Sequence, residues 1–218
     1  MQIRIVLTGG PSAGKTTLLD LLNKQYGHLV AVAPEAASIL FRGGFPRPVT
    51  LDDRVHTQRS IYALQKELEL QSIERQAQSA VDRSFPNEHG NGAPLFCDRG
   101  ALDGAAYWNG TVKEFCFAMG TSIEREHSRY TAVLHLQTAA EGMGYTNTDV
   151  RTETPAEAQE LDRRIGEVWS RHPNYIFIGN NGTFIDKLNS ALTALKPYLP
   201  DAEAIEPRRR YATIGDLI

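Results

Sequence analysis

Cysteine is scarce in this chain: two in 218 residues, Cys97 and Cys116. No C-x-x-C and no paired His/Cys spacing occurs, so a disulfide scaffold is excluded and zinc is not indicated. Cys97 falls in an expected core strand and Cys116 on an expected helix, which fits a reducing, cytoplasmic compartment. Long apolar runs are missing, and no small-residue cleavage site follows the short apolar stretch near the start. Neither membrane insertion nor secretion is expected. An excess of basic charge is missing too. Lysine and arginine number 23 against 26 aspartates and glutamates, a net charge of −3, and nucleic acid is disfavoured as a partner. There is no internal repeat or low-complexity segment. The histidines, His28, His56, His89, His127, His135 and His172, share no metal-ligand spacing and are assigned no chemistry.

Against these absences stands one unbroken motif. Gly9-Gly10-Pro11-Ser12-Ala13-Gly14-Lys15-Thr16 is a G-x-x-x-x-G-K-T phosphate loop. An apolar, β-branched run, Ile3-Arg4-Ile5-Val6-Leu7-Thr8, precedes it, and Thr17-Leu18-Leu19-Asp20-Leu21-Leu22 opens a helix after it. Strand, glycine loop and helix together turn successive backbone N–H groups toward a polyphosphate. Gly9 and Gly14 let the backbone bend and approach the anion. Lys15 is placed to reach the terminal phosphates, and Thr16 to offer a hydroxyl to Mg²⁺. Thr17 closes the binding segment.

Apolar runs alternate with amphipathic ones along the chain, which predicts βα units about a parallel sheet. The expected fold is α/β: a three-layer P-loop NTPase with a five-stranded parallel sheet flanked by helices. Strands are expected at Ile3–Thr8, Leu29–Pro34, Pro94–Cys97, Ala132–Gln137 and Tyr175–Ile178. Helix starts are marked by Thr50 with Asp53, Thr111 with Glu114, Thr154-Pro155-Ala156-Glu157 and Thr183 with Asp186. Apolar spacing predicts inward stripes of Ile61, Leu64 and Leu68, of Ala158, Leu161, Ile165 and Val168, and of Ile185, Leu188, Leu192 and Leu195. One domain is expected over 1–199. Residues 200–218, with Glu206-Pro207-Arg208-Arg209-Arg210, read as a solvated tail.

Three clusters sharpen the chemistry. Leu95-Phe96-Cys97-Asp98-Arg99-Gly100 is an apolar run ending in a carboxylate. A phosphate-loop fold uses such an Asp to hold Mg²⁺, usually through water, and Arg99 beside it can fork onto phosphate or substrate oxygens. Glu35 follows Val32-Ala33-Pro34 at the carboxyl end of the second strand, where open sheets place ligands. It is either an acceptor-side carboxylate or a charge favoured at a helix N-terminus. Asp149-Val150-Arg151-Thr152-Glu153 lies where a lid would close over the phosphates, with Arg151 the candidate to offset charge in transfer. Arg163 and Arg164 read as solvated helix residues. Asp103 either binds substrate or caps the following turn. Tyr107 and Trp108 stack on a ring or fill the core. Asn180 and Asn181 border a base or simply make a turn.

Thr8–Thr17, Pro34-Glu35-Ala36-Ala37 and Phe96-Cys97-Asp98-Arg99-Gly100-Ala101-Leu102-Asp103 together resemble the AAA-domain-like family of small phosphate-loop proteins that includes the ribosylnicotinamide kinase domain. The resemblance runs to about Leu199. Glu35 is similar to the strand-borne Glu of deoxynucleoside kinases, where that residue acts as base. Asp98-Arg99 is similar to the Asp-Arg pair of thymidylate-type kinases, and Arg151 to their lid arginine. The resemblance implies ATP and Mg²⁺ as cofactors. Two departures separate the chain from AAA+ motors: Asp98 is followed by Arg99 rather than a second acid, and no length remains for a separate helical lid domain. Neither an Asn-Lys-x-Asp nor a Leu-Ser-Gly-Gly signature occurs, which disfavours a Ras-like GTPase and a transporter ATPase.

The expected function is therefore a Mg-dependent kinase that moves the ATP γ-phosphoryl group to a small, nucleoside-like acceptor. The candidate catalytic residues are Lys15, Glu35, Asp98, Arg99 and Arg151, with Thr16 and Asp98 on the metal. The alternative is an ATPase switch acting on a protein partner through the Arg42–Pro48 loop, the long helix after Thr50 and the basic tail.

Overall fold

The structure, a computed structural model, describes residues 2–82, 93–139 and 154–200. Five strands form one parallel sheet: β1 (Arg4–Thr8), β2 (Ala31–Ala33), β3 (Leu95–Asp98), β4 (Ala132–Leu136) and β5 (Tyr175–Ile178). Their order is β2-β3-β1-β4-β5, so β1 lies at the centre with the chain departing to either side of it. The expected strands are all present. The second is shorter than its apolar run because Leu29 belongs to a 3-10 turn.

The helices are α1 (Lys15–Tyr26), α2 (Ala36–Arg42), α3 (Leu51–Asp82), α4 (Val112–Ala118), α5 (Ile123–His127), α6 (Pro155–Trp169) and α7 (Phe184–Leu195). The capping signals read from the sequence are real. Thr111 and Glu114, Thr154 and Glu157, and Thr183 and Asp186 form reciprocal boxes. At the head of α3, the Asp53 amide donates to Thr50 Oγ1 at 3.1 Å and the Thr50 amide to Asp53 Oδ2 at 2.9 Å. Each box satisfies N–H groups that the first turn leaves without an intrahelical partner.

Period-two alternation sorts the strands into two cores. Val6 sits in register with Cys97 and Val133, and this face packs against Phe115, Ile165 and Trp169. Ile5, Leu7, Phe96 and Leu134 point the other way, against Leu18 and Leu22 of α1 and Leu188 and Leu195 of α7. The result is three layers, helix–sheet–helix, with the sheet buried on both sides as a parallel sheet requires. Among the described residues, no helix is long and apolar enough to cross a membrane.

Three stripes depart from expectation. Ile185 is exposed, and Leu161 is only partly buried. On α3 the inward residues are Tyr62, Gln65 and Glu69, not Ile61, Leu64 and Leu68, which are half-buried. The reason is what α3 covers: strand ends and turns whose polar groups need partners. Gln65 Nε2 donates to the Arg99 carbonyl at 3.1 Å, and Ser72 Oγ to the Val32 carbonyl at 3.1 Å. Glu69 accepts from Arg129 and from the Tyr130 hydroxyl at 2.6 and 2.8 Å.

Candidate nucleotide-binding site

The loop from Gly9 to Gly14 joins β1 to α1 at the carboxyl edge of the sheet. Gly14 is the residue before the first helical turn, with φ +94°, a left-handed conformation that glycine takes without steric cost. No side chain caps α1, and its first turn holds no acid. Its leading N–H groups therefore face outward at the positive end of a helix, the arrangement that receives an anion. Thr16 and Thr17 lie exposed at that turn.

Lys15 is buried, and its ammonium donates to the carbonyls of Gly9 and Gly10 at 2.8 and 2.9 Å. Burial first, then the nearby Arg99 charge, lowers its pKa to about 8, with Asp98, Glu35 and Asp103 pulling the other way.

Asp98 ends β3 beside the loop and is 7% exposed. Its Oδ1 is buried and has no hydrogen-bond partner among the described residues. A buried, unpartnered carboxylate oxygen is costly. Burial and the neighbouring Glu35 push its pKa up to about 6, against the attraction of Lys15 and Arg99. An oxygen held this way beside a phosphate loop fits a hard cation or its water shell. Among the described residues no group of three or more His, Cys, Asp or Glu gathers as a metal cage.

Arg99 follows with φ +72°, a strained conformation for a side-chain-bearing residue. The turn aims its guanidinium back across the site. Nε pairs with Glu35 Oε1 at 2.5 Å, and Nη1 reaches the Gly9 carbonyl at 3.2 Å and Asp103 Oδ2 at 3.5 Å. Glu35, the residue before α2, also accepts from the Ser38 hydroxyl at 2.5 Å. Burial raises the Glu35 pKa, but the charges of Arg99 and Lys15 and these bonds outweigh it, and the carboxyl falls to about 2. The sequence offered a forked contact from Arg99 to a ligand; in the structure the fork is largely committed to Glu35 and the loop.

Asp103 neither caps the 3-10 turn it begins nor stands open. It accepts from Thr8 Oγ1 at 2.8 Å and from the Trp169 indole at 2.6 Å. Trp108 stacks edge-on against Phe115 at the rim of the core. Arg164 donates to the Trp108 carbonyl, and Arg163 pairs with Glu160 and Glu167 on its own helix. Asn180 is used up in structure, donating to the Thr138 carbonyl and accepting from Lys187. Arg151 lies outside the described residues, as do the segment around it and the tail beyond Pro200.

Sequence reasoning missed two groups. Asp162 sits on the buried stripe of α6, and its Oδ1 accepts from the Gly10 amide at 2.7 Å, from His135 at 3.0 Å and from Thr138 at 3.1 Å. A charged residue four places after Ala158 and three before Ile165 was the available signal, since buried carboxylates require partners. Phe184 opens α7 half-exposed, its ring so near the loop that a Cβ on Gly14 would lie 2.8 Å from it. Its apolar exposure at a capped helix start carries no sequence signature.

A glycine loop between β1 and α1, a buried basic residue in it and a carboxylate at the end of the adjoining strand define a phosphate-loop nucleotide-binding domain. The profile of a family described as an AAA domain matches residues 4–187, and the chain belongs to that family. No curated protein matches it by sequence. Among solved structures it is similar to a NadR protein in complex with NAD and AMP-PNP, at 16% identity and a TM-score of 0.55 over 90% of this chain and 49% of that one. It is also similar to a NadR protein in complex with NR, at 14% identity and a TM-score of 0.57 over 92% and 51%. The chain thus spans about half the length of these relatives, and the likeness establishes the fold they share.

Proposed function

We propose that this domain is a Mg-dependent kinase that transfers the γ-phosphoryl group of ATP to a hydroxyl of a small, nucleoside-like acceptor. The observation that carries the proposal is the meeting of three elements at one edge of the sheet: the loop with Lys15, the unpartnered Oδ1 of Asp98, and the Glu35–Arg99 pair 3.2 Å from the loop at Gly9. The Glu35 carboxylate held by Arg99 beside the loop supports an acceptor-side role, since it is fixed where it can accept a hydrogen bond from a hydroxyl. The AMP-PNP and NR named with the two similar structures agree in kind with a triphosphate donor and a small acceptor.

In this reading the loop amides and Lys15 hold the triphosphate, and Thr16 and Asp98 hold Mg²⁺. The ion, when bound, neutralises charge on the phosphate oxygens. Lys15 leaves the Gly9 and Gly10 carbonyls for the phosphates. Glu35, with its pKa held near 2 by its neighbours, is a weak base. Its role is to orient the acceptor hydroxyl by accepting its hydrogen bond, which suffices because phosphoryl transfer depends mainly on positioning and electrostatics. Arg99 holds Glu35 in place and lends positive charge at the loop. Arg151 is the proposed lid cation.

The experiment is transfer from γ-labelled ATP with Mg²⁺ to a panel of nucleosides, nicotinamide riboside and small sugars. One acceptor should take label, with little hydrolysis in its absence. Lys15→Ala should abolish transfer with unchanged circular dichroism. Steady hydrolysis that no small acceptor diverts, and that a protein partner accelerates, would replace the kinase by a switch.

A further inference from the structure

Gly10 is gripped from both sides. Its carbonyl accepts from Lys15, and its amide donates to Asp162 Oδ1 at 2.7 Å. The second grip comes from outside the loop, from α6. The same oxygen takes His135 Nε2 and the Thr138 hydroxyl. A carboxylate only accepts, so His135 must carry its proton on Nε2 in this bond. Its Nδ1 lies 2.6 Å from the Tyr175 hydroxyl, within hydrogen-bond reach. A chain of bonds thus runs Tyr175–His135–Asp162–Gly10, from β5 through β4 and α6 to the phosphate loop.

Two further observations show that this junction is built for contact. An ideal Cβ on Gly10 would lie 2.3 Å from Thr138 Oγ1 and 2.8 Å from the Ala158 carbonyl, so only glycine lets α6 approach this closely. Asp162 is also kept ionised. Burial works against its charge, but the bonds from His135, Gly10 and Thr138 outweigh it and hold the carboxyl below its usual range. A carboxylate close behind a phosphate site repels the ligand unless its charge is spent elsewhere; here one oxygen spends it on three donors.

We propose that Asp162 is a positioning residue for the terminal phosphates: it turns the Gly10 amide away from the ligand and fixes the loop so that its later amides and Lys15 face inward. The proposal rests on the reading of Gly9–Thr17 as a triphosphate site. Asp162 touches no ligand and acts only through Gly10.

The test is calorimetric titration of the full chain with Mg²⁺·AMP-PNP and separately with AMP, for wild type, Asp162→Ala and Asp162→Asn, with melting temperatures recorded. Asp162→Ala should weaken AMP-PNP at least tenfold and AMP less than threefold, because the first turn of α1 is untouched. Asp162→Asn, which keeps an acceptor oxygen in place, should return AMP-PNP affinity to within threefold of wild type. Equal affinity in all three proteins overturns the proposal, as does equal loss for both ligands or failure of the asparagine to rescue. If Asp162→Ala does not fold, the Gly10 amide resonance decides. It should lie downfield in wild type and stay close to that position in Asp162→Asn; a resonance at a free-amide position in wild type overturns the grip. Wild type that takes up no AMP-PNP instead brings down the triphosphate reading on which the proposal stands.

Discussion

The Glu35–Arg99 pair is where sequence chemistry and structure meet most tightly. Both residues were legible as site candidates, Glu35 from its place after a strand and Arg99 from its place after an Asp. Their mutual bond was not, because 64 residues separate them. The pair has a pH signature. The Glu35 carboxyl is depressed in the folded chain from 4.5 to about 2. Its stabilisation is therefore fully present above about pH 4.5 and is lost as pH falls toward 2. Glu35→Gln should cost on the order of 2 kcal/mol in urea unfolding at pH 7, and the gap to wild type should shrink at pH 3. A gap that stays constant between those pH values would mean that the charge of Glu35 does not matter to the fold. Phe184 belongs to this scale as well. The ring is half-exposed against the loop; if the bound nucleotide sets its base on it, Phe184→Ala should weaken AMP-PNP by about 1 kcal/mol, roughly fivefold, with little change in melting temperature, and unchanged affinity would remove the ring from the base site.

Helix α6 shows how one element carries several tasks. Its capping box and proline were readable from four consecutive residues. Its inward face was not, because period alone selected Leu161 and passed over Asp162 and Trp169. Trp169 is fully buried and donates to Asp103, which in turn receives Thr8 at the end of β1. Trp169→Phe keeps most of the volume but leaves Asp103 Oδ1 short of a donor. It should cost about 1–3 kcal/mol of stability, measured by urea unfolding. Helix α3 makes the same point with the opposite polarity. Its apolar spacing suggested a core stripe, and the structure turns Gln65 and Glu69 inward because strand ends and turns lie beneath them.

For the molecule as a whole, the site is assembled only when β1, β3, α2 and α6 meet at the carboxyl edge of the sheet, so nucleotide binding and folding are linked. Mg²⁺·AMP-PNP at a hundred times its Kd should add about 2.7 kcal/mol of stability, a rise of roughly 5–10 °C in melting temperature for a domain of this size; a melting curve that does not move would argue against a native-state site. The amino-acid sequence alone determined the loop, the strands and the helix caps, because each is encoded by neighbours within a few residues and by periods of two and 3.6. Tertiary structure alone decided that Asp162 holds Gly10, that Asp98 keeps an unpartnered oxygen and that Arg99 is locked to Glu35. Those facts depend on which distant backbone segments come within hydrogen-bond reach, and local propensity carries no record of that.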